Sequence, residues 1–115
     1  MKKPIYVLAT IFLVFLCCCV SNPPPKTDME TVREALTSKD PSACDKIQDS
    51  VIEGTCFLNL AVSSDDASLC DRIKDTSELR LKDKCYMKVG AYKKDPAICG
   101  KIQDSAIKES CMQQL

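Results

Sequence analysis

The chain contains no histidine and no tryptophan, and only three each of tyrosine, phenylalanine and glycine. Without histidine there is no imidazole to act as a base near neutral pH or to ligate a metal. Any catalysis would fall to carboxylates, lysine or thiols. There is no Gly-rich phosphate loop and no nucleophile elbow. Charge of one sign is also missing: 16 basic residues face 16 acidic ones. Nucleic-acid binders carry a cationic surplus, so no nucleic-acid partner is expected. With 115 residues and few aromatics, a core of Ile, Leu, Val and Ala is thin.

Cysteine, by contrast, is abundant, at nine residues. Six belong to a repeat. Its pattern is Asp, Pro or Ala, a small residue, any, Cys, any, Lys or Arg, Ile, any, Asp. The copies are Asp40–Asp49 around Cys44, Asp66–Asp75 around Cys70, and Asp95–Asp104 around Cys99. A second cysteine follows each copy, at Cys56, Cys85 and Cys111. The first and third copies match at 11 of 18 positions from Lys39 and Lys94 to the second cysteine, which argues for internal duplication.

Each copy predicts a helical hairpin. Asp40, Asp66 and Asp95 suit an N-cap, and Pro41 and Pro96 suit the first helical position. A helix of about two turns then puts Cys44 with Ile47, Cys70 with Ile73, and Cys99 with Ile102 on one face. The chain breaks at Asp49-Ser50, Asp75-Thr76-Ser77 and Asp104-Ser105. Ser50 with Glu53, and Asp75 with Glu78, read as capping boxes for the second helices. On those helices, Ile52, Leu81 and Ile107 lie four before the cysteine. Phe57, Tyr86 and Met112 follow it directly, and Leu60, Val89 and Leu115 lie four after, which makes an apolar stripe. Upstream, Thr27 and Glu30 form a further capping box. It opens a helix from about Asp28 to Ser38 with Met29, Val32 and Leu36 on one face. Ala35, Ala61 and Gly90 each stand five before the next Asp, so this first helix looks like a cysteine-free half-repeat.

Six cysteines allow fifteen pairings. A turn midway between the cysteines of each copy sets them side by side, favouring Cys44–Cys56, Cys70–Cys85 and Cys99–Cys111. The second copy is longer by three residues, nearly one helical turn, which keeps Cys85 inward. The fold expected is all-α: three disulfide-stapled hairpins in series, about 39–63, 65–92 and 94–115, behind an N-terminal capping helix. Two-helix units of this period resemble α-solenoid repeats, though shorter than the familiar ones. The resemblance implies stacking of neighbouring units and no particular ligand.

The N-terminus has another design. Lys2 and Lys3 precede an apolar run from Pro4 to Val20, as in an export signal. It ends at Leu16-Cys17-Cys18-Cys19 before Val20-Ser21-Asn22-Pro23-Pro24-Pro25-Lys26. That arrangement resembles a prokaryotic lipoprotein signal, in which an apolar residue stands three before a lipidated cysteine. The resemblance implies lipidation at Cys19, with Cys18 where the family usually has Gly, Ala or Ser. Residues 1–19 are then a signal, 20–27 a Pro-rich tether and 28–115 the repeat domain.

Other chemistries fit the chain less well. The paired cysteines faintly resemble the twin-cysteine hairpins of mitochondrial intermembrane-space proteins, but a turn signal separates the cysteines here. Zinc sites favour close pairs such as C-x-x-C, and redox dithiols share that motif; the repeats contain none. The aspartates fall at caps and turns rather than in a calcium loop. Lys46, Arg72 and Lys101 recur in register, either as a ladder for an anionic partner or as exposed side chains paired with nearby Asp. Tyr86 is expected to pack and Tyr92 is a candidate for a binding face. The resulting expectation is a non-catalytic binding module without cofactor or metal. It is exported and held to the outer face of a membrane, with a protein or ligand partner of unspecified chemistry. The alternatives are a structural envelope protein anchored by an uncleaved Pro4–Val20 helix, and a thiol redox protein.

Overall fold

Aspartate starts nearly every helix, because its carboxylate accepts hydrogen bonds from the backbone N–H groups that a helix leaves unpaired at its first turn. The computed structural model describes residues 23–74 and 80–115. Among these, all regular structure is helical, and there are no strands. Helix α1 spans Asp28–Ser38 and opens with the expected capping box: Thr27 Oγ1 accepts from Glu30 N–H while the Glu30 carboxylate accepts from Thr27 N–H.

Three short elements follow in the repeats: α2 (Pro41–Cys44), a 3₁₀ helix (Ala67–Arg72) and α5 (Pro96–Gly100). Asp40, Asp66 and Asp95 cap them, each accepting from the N–H two residues on. These elements are shorter than the two turns expected. Ile47, Ile73 and Ile102 lie beyond the helical residues, yet all three are buried. The longer elements are α3 (Ser50–Ser64), α4 (Leu81–Lys93) and α6 (Ser105–Gln113).

Two helix starts differ from expectation. Asp49, not Ser50, caps α3, accepting from Val51 and Ile52 N–H. Glu53 forms no capping box there. It is buried, and its carboxylate accepts from Lys74 Nζ at 3.1 Å. Helix α4 starts at Leu81, four residues before its cysteine, whereas α3 and α6 start six before theirs, so α4 does not begin a turn earlier. The proposed Asp75–Glu78 box lies outside the described residues.

The junctions between copies are alike. Lys39, Asp65 and Lys94 end α1, α3 and α4 in the left-handed region, with φ of 54°, 58° and 54°. Each turns the chain so that the next N–H, from Asp40, Asp66 or Asp95, donates back to Ala35, Ala61 or Gly90 carbonyl oxygen at 3.1, 3.0 and 3.0 Å. One aspartate thus closes one helix through its backbone and opens the next through its side chain.

Helices α1, α3, α4 and α6 pack in sequence, each against the next. Every short element sits between the long helix before it and the long helix after it. The core lies between these two sets. Cys44, Cys56, Phe57, Leu60, Cys70, Ile73, Cys85, Val89, Cys99, Ile102 and Cys111 are its most deeply buried side chains.

Candidate functional site

The six repeat cysteines form the three bridges expected: Cys44–Cys56, Cys70–Cys85 and Cys99–Cys111, with Cα separations of 5.8, 5.6 and 5.7 Å. All six are fully buried. Each ties a short element to the long helix that follows. Bridges of this kind persist in an oxidising, extracytoplasmic environment. Cys17, Cys18 and Cys19, and the apolar run before them, lie outside the described residues. Among the described residues no helix is long and apolar enough to cross a membrane, and no group of His, Cys, Asp or Glu is placed to hold a metal ion.

The recurrent basic residues serve as clasps between copies. The Arg72 guanidinium pairs with Asp45 and lies over the Phe57 ring, 4.8 Å from its centroid. One copy on, Lys101 Nζ lies over the Tyr86 ring at 5.5 Å, while the Tyr86 hydroxyl donates to Asp71. Burial and the Asp71 carboxylate raise the Tyr86 pKa well above the usual phenol range, so the hydroxyl stays a donor. The residue after the first cysteine, the residue after the second and the next copy's cation therefore cluster twice, with the acid held by the cation in one case and by the Tyr86 hydroxyl in the other. The third copy has Gly100 and Met112 at the first two positions. The ladder is thus largely spent on internal contacts, each worth only about 0.5–1 kcal/mol where exposed.

A second set of contacts anchors the inter-helix loops of the second and third copies. Glu53 of α3 holds Lys74. Asp83 of α4 is buried and accepts from the backbone N–H groups of Gln103 and Asp104 at 3.0 and 2.9 Å. Arg80 also pairs with Asp104. Sequence reasoning missed these roles because both acids contact residues about twenty positions downstream.

The long helices also keep exposed residues. The apolar stripe proposed for α1 is only half right: Val32 and Leu36 are half-buried, but Met29 is 69% exposed, and Thr31 and Ala35 are the inward residues. An open groove on α1 is lined by Met29, Glu30, Val32, Arg33, Leu36 and Thr37. On α3, Val51 and Val62 are exposed. On α4, Lys84 and Lys88 are exposed, and Tyr92 at its end is 71% exposed, whereas Tyr86 is buried. The stripe also fails at the last copy, where Met112 and Leu115 are both exposed.

No family model, curated protein or solved structure matches this chain.

Proposed function

We propose that the protein is an exported, lipid-anchored, non-catalytic binding module, built as a short solenoid-like stack of stapled hairpins on the outer face of a membrane. The observation that carries this reading is the set of three buried disulfides, one per copy, behind a lipoprotein-like signal. The bridges fit a chain that works outside the cytoplasm. The sequence Leu16-Cys17-Cys18-Cys19 supplies the anchor, and the Pro-rich stretch after it holds the domain clear of its point of attachment. The described surface offers an extended face of long helices, the kind of surface on which stacked helical repeats bind partners.

Substituting Cys19→Ala in cells tests the anchor. The expected result is loss of the lipid and release from the membrane fraction, or accumulation of the unprocessed precursor. A Cys19→Ala protein that is still processed, lipidated and membrane-bound would refute the assignment.

A further inference from the structure

The face of the long helices has a charge pattern that the repeat register exposes. Ala35, Ala61 and Gly90 occupy equivalent positions in α1, α3 and α4. Six residues before them stand Met29, Thr55 and Lys84, all exposed; two before them stand Arg33, Asn59 and Lys88. None of these six positions carries an acid, nor do their equivalents, Ser110 in α6 and Gln114 just after it. Several acids serve instead in caps, clasps and loop anchors. Glu30 lines the groove beside Met29 and Arg33, and its carboxylate accepts from the Thr27 N–H.

The same face carries the large apolar side chains that lie exposed ahead of the last copy. Met29 projects from α1, Val51 and Val62 from α3, and Tyr92 stands at the end of α4. Apolar groups interspersed with lysine and arginine suit the boundary between anionic headgroups and acyl chains, with Glu30 as a carboxylate at the α1 end. Two or three cations attract an anionic bilayer only weakly, so the contact needs the protein already held nearby. Residues 20–27, if extended as a Pro-rich segment, span only about 25 Å. Helix α1 comes first after that tether, and Pro23–Lys26 before it are exposed.

We infer that this face, centred on Met29, Arg33, Lys84 and Lys88, lies against the surface of a membrane rich in anionic phospholipid and sets the orientation of the tethered domain. The inference rests on the lipid-anchored reading. In that orientation the short elements, with Lys46 and Lys101, point away from the bilayer.

The test uses the mature lipidated protein bound to vesicles of phosphatidylcholine alone, or of phosphatidylcholine with an equal part of phosphatidylglycerol. Flotation with neutral vesicles reports the anchor by itself. Acylation of lysines, mapped by mass spectrometry, then reports the face. Lys84 and Lys88 are expected to react about fivefold more slowly on the anionic vesicles than on the neutral ones. Lys46 and Lys101 should be unchanged, and Lys88→Glu should weaken the protection of Lys84. A protein that floats on both vesicle types with Lys84 and Lys88 equally reactive overturns the orientation and leaves the anchor standing. Protection by soluble polyglutamate, with none on anionic vesicles, overturns it in favour of an acidic protein partner. Failure to float on neutral vesicles strikes the anchor instead.

Discussion

Lys39 illustrates how much of the helix punctuation here rests on single residues. It holds a left-handed backbone at φ 54° without being glycine, a conformation that costs an L-residue roughly 1–2 kcal/mol. Replacing it with glycine, Lys39→Gly, is expected to raise unfolding free energy by about 0.5–1 kcal/mol, since glycine's extra freedom when unfolded offsets part of the gain. Urea denaturation would show the midpoint rising with unchanged slope. The capping aspartates carry a pH signature. Hydrogen bonds from Ser42 to Asp40, and from Ser68 to Asp66, hold both carboxyls below the ordinary aspartate range. A depressed folded pKa means the stabilisation is fully present above about pH 4 and is lost as acid titrates the folded carboxyl. Asn caps comparably but does not titrate. Asp66→Asn should therefore leave neutral stability almost unchanged and flatten the loss on acidification, measured as thermal midpoint against pH. These caps were legible in the sequence because an Asp heads each copy, followed by Pro in two of the three. The start of α3 was misplaced by one residue because Asp49 and Ser50 are both good caps. The choice between them rests on backbone conformation at Asp49, with φ −75° and ψ 118°.

At the scale of elements, helices join through small residues and buried acids. A Cβ on Gly90 would stand 3.1 and 3.2 Å from the Cys99 and Cys111 sulfurs, so α4 lies directly on the next copy's bridge. Gly54 is equally close to Leu81 and Ile73 of the following copy. Gly90→Leu should destabilise by at least about 1–3 kcal/mol through overpacking, with crowding of the Cys99–Cys111 bridge visible as faster reduction. Asp83→Ala removes the acceptor for two backbone N–H groups at the start of α6. It should cost about 1.5–3 kcal/mol and raise amide exchange at Gln103 and Asp104 above that elsewhere in α6. The alignment of Ala35 with Ala61 and Gly90 was readable in the sequence and carried the true inward face of α1. Hydrophobic spacing alone instead selected Met29, because a lone amphipathic period does not say which side is covered. Glu53 and Asp83 were not readable, since their partners depend on how successive copies pack.

For the whole molecule, the bridges substitute for core. Each closes a loop between residues separated by 12 or 15 positions, worth about 3 kcal/mol by chain-entropy reasoning. Domains of this size are typically stable by only about 5–15 kcal/mol. Full reduction is therefore expected to abolish the far-UV helical signal at neutral pH and ambient temperature, and circular dichroism with and without reductant would record it. The disulfide pairing was legible because each of three copies carries one cysteine before its turn and one after it. The proposed anchor and membrane-facing surface involve residues that no repeat rule requires, which is where a binding role would leave its mark. The most direct measurement is the intact mass of the protein purified from membranes, before and after reduction. The account predicts a chain beginning at Cys19 that carries lipid, takes up no alkylating agent until reduced, and then gains two hydrogens per bridge across three bridges. An unlipidated chain beginning at Met1, or free repeat thiols in the native protein, would contradict it.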